Sequence, residues 1–296
     1  LKIKRIIKNV VRDLVRFFLP KSIYIALRFY LTHGYKCNLK KPMSFSEKII
    51  YRKLNTDPHL YSKFVDKFTV RQYVKDTIGD NYLIPLLGQY NSIKESDFDG
   101  LPAQFVIKTS NGGGGENVKV IFDKTSCSLN KLCNDFNGYL KVKIGSKIDE
   151  PFYDIEPPCV LVEKLIVDEN GRVPSDFKIH VFKGDDKEKV LIQVDGDRFG
   201  NHKRSLFDEV LQKLDFDIQP KYESIDEDFV FPGNMPEMIA LAKKLAQPFR
   251  YVRVDMYSVA NAVYFGELTF CHGSGWEKLS TKEADCLLGS YWKEYN

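Results

Sequence analysis

The chain has 296 residues, 43% of them hydrophobic and 28% charged, with a formal net charge of +4. That is enough to bury a sizeable core in two lobes, and no uncharged apolar run is long enough to span a bilayer. Six cysteines without a C-x-x-C pair and five dispersed histidines argue against a zinc site or disulfide framework and for reduced thiols in a cytoplasmic protein.

The basic charge sits at the N-terminus. Residues 1–41 hold eleven Lys and Arg against Asp13 alone, while the remaining chain carries a balance of −6. Ile3, Ile6, Ile7, Val10, Val11, Leu14, Val15, Phe17 and Phe18 recur at helical spacing, with Lys4, Arg5, Lys8 and Arg12 opposite, and Pro20 ends the helix. Such a helix over residues 1–20 suits peripheral contact with an anionic membrane, and it equally suits packing on the protein's own body. The basic charge is confined to this helix and no base-stacking platform accompanies it, so nucleic acid is not an expected partner.

A second apolar segment runs from Ile23 to Leu31 into a turn at Gly34. Ser44, followed three residues later by Glu47, reads as the capping box of a helix that runs toward Leu54. One helix is expected from Tyr61 to Ile78, with Lys67 on it either as a solvated charge or as a functional one. Residues 91–104 form a polar connection.

Phe105, Val106 and Ile107 end on Lys108, cross Gly112, Gly113, Gly114 and Gly115, and resume as Val118, Val120 and Phe122. That pattern predicts strand, glycine loop, strand. Four glycines free several backbone N–H groups to face one anion, and the lysine adds a full charge. The sequence matches neither a P-loop nor a dinucleotide fingerprint, because no G-K-[ST] follows and no helix opens after the glycines. A flap over a nucleotide and an ordinary glycine-rich hairpin both fit the stretch taken alone.

A helix is expected around Leu129 to Val142. The second half is richer in strands: Cys159 to Ile166, Phe177 to Phe182 with Lys178 and His180 on one face, and Lys189 to Asp195. A loop from Gly196 to Arg204 carries Asp197, Arg198, His202, Lys203 and Arg204, and residues 205–232 are weakly patterned. A helix over Pro236 to Ala246, with Asn234 as its cap, precedes two strands, Tyr251 to Tyr257 and Val263 to Thr269, joined near Asn261. Antiparallel pairing would set Asp255 beside Glu267 in a half-buried hairpin. Two such carboxylates repel unless a cation sits between them, which favours magnesium over a pair of exposed, salt-bridged acids.

Asp66-Lys67, Lys108 with its glycine loop, Val162-Glu163-Lys164-Leu165, Arg253-Val-Asp255 and Gly266-Glu267-Leu-Thr269 resemble, in order and spacing, the ATP-grasp superfamily. Lys41-Pro-Met-Ser-Phe-Ser-Glu-Lys48, Asp176-Phe-Lys178, the Asp197 to Arg204 loop and the ending Glu267-Leu-Thr-Phe-Cys-His-Gly-Ser-Gly275 resemble its TupA-like branch, named for teichuronopeptide biosynthesis. The resemblance covers about residues 35–292 and implies an α+β ATP-grasp fold. Two α/β lobes with mostly antiparallel sheets would clasp ATP after a short helical N-terminal region. The expected division is a helical region over 1–65, a lid over 66–158 and a C-terminal subdomain over 159–296.

By the same resemblance Lys67, Lys108, Asn111 and Gly112 to Gly115 would hold the ATP phosphates. Glu163, Lys164 and Leu165 would take the adenine, with Asp176 also at the nucleotide. Asp255, Glu267 and Thr269 would bind magnesium; Thr269 stands where many members have Asn, which leaves one or two ions open. Lys178, Arg253, Arg198, His202 and Arg204 would serve the transferring phosphoryl group and the substrate carboxylate, and Ser274 the oxyanion.

The implied activity is a carboxylate-amine ligase that passes through an acyl phosphate and joins an amino acid or amino sugar to a uronic-acid carboxyl in bacterial cell-surface polysaccharide. A phosphotransferase of the same fold and a non-catalytic, membrane-docked adaptor are the alternatives. Residues 1–65 replace the Rossmann-like domain of many members, so the acceptor site is either built differently or completed by a partner such as a second copy.

Overall fold

The computed structural model describes residue 16 and residues 18–112, 117–185, 187–196 and 202–295. The expected helix over 1–20 therefore lies almost wholly outside the described residues, as do Gly113, Gly114, Gly115, Asp197 and Arg198.

α1 (Lys21–His33) starts after Pro20 and stops at Gly34, whose φ of 83° is the left-handed conformation that glycine adopts without strain. α2 (Phe45–Asn55) opens on the expected capping box, with Glu47 N–H donating to Ser44 Oγ and Ser44 N–H to Glu47 Oε2. Much of its polar side is buried. Lys48 Nζ donates to the Trp292 carbonyl at 2.5 Å, and Arg52 Nη1 to the carbonyls of Tyr251 and Phe270, each at 3.0 Å.

The helix expected over Tyr61 to Ile78 is two helices, α3 (Ser62–Val65) and α4 (Val70–Ile78). Asp66 breaks it by turning extended, so that its Oδ1 accepts from the Phe68 and Thr69 N–H groups. Lys67 is consequently on a turn, not on a helix. α5 (Leu129–Tyr139) and α6 (Ile144–Ile148) follow, then α7 (Met235–Leu245) and α8 (Lys282–Tyr291). Asn234 occupies the cap position of α7 but caps nothing, because its Oδ1 accepts from Ser258 Oγ.

Two antiparallel sheets organise the chain. The small one holds β1 (Leu86–Tyr90), β2 (Phe105–Thr109), β3 (Val118–Ile121) and β4 (Val160–Lys164) in the order β1-β4-β2-β3. Phe105, Ile107, Val160 and Val162 share its apolar face and pack with Leu132 and Phe136 of α5. β4 thus completes the first sheet, and the passage to the second falls after Lys164, not at 158–159. Residues 66–78 likewise depart from the expected lid: Val70 and Val74 belong to the core of the large sheet.

The large sheet holds β5 (Asp176–Lys183), β6 (Glu188–Gly196), β7 (Lys203–Asp208), β8 (Tyr251–Val259) and β9 (Ala262–Thr269) in the order β7-β6-β5-β8-β9. Ile179, Ile192, Val194 and Val254 alternate onto one face and share a core with Met238, Leu241 and Leu245 of α7. β7 was hidden in sequence, so Lys203 and Arg204 lie on a strand and not in a loop. The six cysteines are all free, and among the described residues no helix is long and apolar enough to cross a membrane.

Candidate functional site

The second face of the large sheet is polar throughout its centre. Direct partners across antiparallel strands share a face, and the register opposes Lys178 to both Gln193 and Asp255, Asp255 to Glu267, Arg253 to His180 and Thr269, and Asp195 to Arg204. Asp176 joins them two residues from Lys178. Burial of so many ionisable groups is tolerable only if each is paired.

They are paired in a chain. Lys178 Nζ contacts Asp176 and lies 3.3 Å from Asp195 and 4.0 Å from Asp255. Asp195 Oδ1 accepts from Arg204 Nε at 2.6 Å and faces His202 Nε2 at 2.8 Å. Arg204 Nη1 reaches Glu277 at 2.9 Å, and His272 Nε2 lies 3.1 Å from the same carboxylate. The other ring nitrogen of His272 meets Arg253 Nη1 at 2.9 Å, so Nδ1 accepts and the proton sits on Nε2. Arg253 then grips Asp255 with two bonds, of 2.6 and 2.7 Å, and Glu267 with one of 3.1 Å.

These contacts set the charge states. Burial opposes ionisation of Asp195, yet Lys178 and Arg204 outweigh it and hold the carboxyl well below its usual range. Glu277 is held down to about 2, with burial outweighed by His272 and Arg204. Burial pushes Asp255 up despite Arg253 and Lys178, whereas in Glu267 burial is outweighed by Lys67, Arg253 and Lys178, which bring it down. His180 and His272 are both pushed below the ordinary imidazole range by burial.

Lys67 joins this face to the glycine loop. Its Nζ lies 3.5 Å from Glu267 and donates to the Gly112 carbonyl, while its backbone N–H donates to the Ser110 carbonyl at 2.8 Å. Gly112 has no room for a side chain, since a Cβ would fall 1.8 Å from Asn117 Nδ2. Asn111 is buried, and its Oδ1 has no hydrogen-bond partner among the described residues.

On the small sheet Lys108 and Glu163 share the face opposite the α5 core and pair at 2.6 Å. Arg71 of α4 adds a contact to Glu163 at 3.3 Å and donates to the Ile84 carbonyl. Lys164 is on the other face, in register with Phe105, and is exposed; Leu165 is buried.

The expected residues Lys67, Asp176, Lys178, His202, Arg204, Arg253, Asp255, Glu267 and Thr269 are therefore brought together, with Lys108 and Glu163 as a second group. Ser274 departs: it lies in a turn where Gly273, Ser274 and Gly275 have φ of 53°, 57° and 73°, and its hydroxyl meets Lys53 Nζ at 2.5 Å. Sequence reasoning missed Asp195, Glu277, His272 and Arg71 as site residues. Only Asp195 left a local signal, the alternation of Gln193 and Asp195 along β6.

Asp255 and Glu267 offer hard oxygen donors on neighbouring strands, and Thr269 Oγ1 stands 3.3 Å from Glu267. Among the described residues no group of three or more His, Cys, Asp or Glu forms a closed metal cage. This donor set fits a magnesium ion that takes one or two carboxylates from protein and the rest of its shell from water and phosphates. Arg253 already supplies one cation to the pair.

The family described as TupA-like ATPgrasp matches residues 47–293. No protein of curated function matches the chain in sequence. Among solved structures, D-alanine-D-alanine ligase of Helicobacter pylori is similar at 15% identity and a TM-score of 0.43, over 78% of this chain and 61% of that one. L-amino acid ligase of Bacillus licheniformis is similar at 12% identity and 0.46, over 78% and 49%. Phosphoribosylamine-glycine ligase of Thermotoga maritima is similar at 11% and 0.44, over 74% and 52%. The chain spans less than two thirds of the length of each of the three.

Proposed function

The chain belongs to the TupA-like ATP-grasp family, and from that premise we propose that it is an ATP- and magnesium-dependent carboxylate-amine ligase. The observation that carries the reading is the meeting of Lys178 and Arg253, and of Lys67 from its turn, with the Asp255–Glu267 pair on the polar face of the large sheet. Joining two anions, a carboxylate and a triphosphate, requires fixed positive charge that is already in place.

In this reading a carboxylate oxygen attacks the γ-phosphorus, the bond to the ADP oxygen breaks, and an acyl phosphate forms. The amine nitrogen then attacks the acyl carbon, phosphate departs with the C–O bond electrons, and the nitrogen loses a proton to give the amide. Lys108 and Lys67 hold the phosphates. Glu163 and the backbone at Lys164 and Leu165 hold the adenine, and the loop from Asn111 through Gly112 to Gly115 would serve to exclude water that would hydrolyse the acyl phosphate.

Lys178, fixed by Asp176 and Asp195, faces the moving phosphoryl group. Arg204, His202 and Arg198 orient the substrate carboxylate, with Arg204 and His202 held by Asp195. Ser274, bonded to Lys53, is not assigned a role. Asp255, Glu267 and Thr269 would hold the magnesium, which would supply positive charge against the triphosphate when bound. The substrates proposed are a uronic-acid carboxyl and an amino acid or amino sugar, in assembly of a bacterial cell-surface polysaccharide such as a capsule, O-antigen or teichuronopeptide.

Calorimetric titration of a non-hydrolysable ATP analogue with magnesium into the wild type, Lys108→Ala and Asp255→Ala is the first test. Magnesium-dependent binding by the wild type and its loss in both variants supports the nucleotide site; no binding by the wild type overturns it. Incubation with ATP, a uronic acid and hydroxylamine then separates ligase from phosphotransferase. A hydroxamate with ADP and phosphate supports the ligase, and a stable phosphorylated sugar overturns it.

A further inference from the structure

α1 is apolar on two sides. Tyr24, Ile25 and Phe29 are buried against Ile50, with Trp276 packed beside them. On the outer arc Ile23, Leu27, Tyr30 and Leu31 recur at spacings of three and four and are 54%, 44%, 53% and 73% exposed. A surface helix normally shows one apolar stripe, facing the core, so a second and outward one marks a surface that meets another phase or molecule.

The surrounding charge decides which. The first 41 residues carry eleven Lys and Arg against Asp13 alone. Arg16 and Lys21 turn to Asp149, at 2.7 and 3.8 Å, whereas Lys36, Lys40 and Lys41, in the linker that leaves α1, are exposed. Two copies of so basic a region would repel each other across a twofold axis, while an anionic surface would attract each of them. From this apolar arc within a basic region we infer that α1 docks on the surface of an anionic lipid bilayer, with Ile23, Leu27, Tyr30 and Leu31 entering the headgroup boundary and the exposed lysines of the following linker drawn to the phosphates.

The surface connects to the polar sheet face. Arg28 lies over the Trp276 ring at 3.9 Å, and His33 Nε2 meets the Gly275 carbonyl at 3.0 Å. These are the turn residues beside Glu277, which touches Arg204 and His272. A docked α1 would therefore hold the site at the membrane surface. The inference does not depend on the nucleotide chemistry.

The test is co-sedimentation of the full chain with vesicles of phosphatidylcholine alone and of phosphatidylcholine with phosphatidylglycerol. Wild type is expected in the pellet with the anionic vesicles only, and Leu27→Glu/Leu31→Glu is expected to lower the partition coefficient by about tenfold or more. Val210→Glu/Val230→Glu adds the same charge at exposed apolar positions elsewhere, 71% and 83% exposed, and is expected to sediment like a protein changed by charge alone. Circular dichroism checks that both variants fold, and Lys40→Gln/Lys41→Gln tests the charge without touching the apolar arc. Wild type that stays in the supernatant, or an α1 variant that sediments like the Val210/Val230 control, overturns the inference. So does a wild-type dimer that the α1 variant converts to monomer.

Discussion

The two sheets bring charge to the site by the same alternation of strand residues, yet they treat it differently. On the small sheet Lys108 meets Glu163, itself shared with Arg71, and Lys108 keeps 13% of its side chain exposed. On the large sheet Asp195, Lys178 and Asp255 are 1%, 7% and 4% exposed and are linked through Arg204, Glu277, His272 and Arg253 into one network. The first arrangement exchanges partners at little cost. The second is a fixed electrostatic frame in which removal of one member strands the others.

The sharpest way to break that contrast is Arg253→Met. It leaves Asp255 and Glu267 facing each other without the guanidinium between them, at a cost of roughly 3–5 kcal/mol in urea unfolding. Added magnesium should recover more of this loss in the variant than it adds to the wild type, because the freed carboxylate pair is then open to a cation. A cost below about 1 kcal/mol would show that the network is not a unit. Lys108→Ala should behave in the opposite way. Its stability should change by less than about 1 kcal/mol, while calorimetry should show nucleotide affinity falling about 10- to 100-fold, the worth of one charged hydrogen bond.

Much of this frame was legible because alternation is a local signal. Lys178 and His180 on one face, and Asp255 beside Glu267, follow from β5 and the β8–β9 hairpin read alone. What was not legible depends on register between distant segments. Arg204 looked like loop charge, since nothing near it says that residue 204 pairs with Asp195. Glu277 and His272 enter through a turn with three left-handed residues. The gap between Asp255 and Glu267 called for a cation, and the residue that fills it, Arg253, is two positions away on the same strand. The break at Asp66 was missed because the apolar spacing continues across it, while the side chain's bonds to the next N–H groups decide the backbone.

Glu277→Gln tests the frame at its edge, with a smaller effect. The folded carboxyl is lowered from 4.5 to about 2, so its contribution is fully present above 4.5 and is lost as pH falls through about 2. The variant should be less stable than wild type by about 1 kcal/mol near neutrality, and the gap should close on acidification. His272, also lowered, makes both proteins less stable as pH falls below 6.5, since only the unfolded chain then takes up the proton. Glu277 is one of the groups that raise His272, so that slope differs between the two curves. The comparison is therefore made in a His272→Asn background, where no imidazole titrates at this position, Arg204 still holds Glu277 down, and the difference between urea midpoints isolates Glu277. A gap that widens toward low pH would contradict the assigned charge state.

The smallest effect is expected at Lys164, and it separates side chain from backbone on β4. Lys164 and Glu163 are adjacent in sequence, and both fall in the motif that suggested an adenine contact. The register sets Glu163 opposite Val106, on the face with Lys108, and Lys164 opposite Phe105, on the face toward α5. Successive strand residues point to opposite faces, so the Lys164 side chain is directed away from the site while its N–H donates to the Pro85 carbonyl. Lys164→Ala should therefore leave stability within about 0.5 kcal/mol and nucleotide affinity within about twofold of wild type. Glu163→Gln, one residue away, should weaken nucleotide binding with Lys108→Ala. If Lys164→Ala instead matched Lys108→Ala, the face assigned to the nucleotide on the small sheet would be the wrong one.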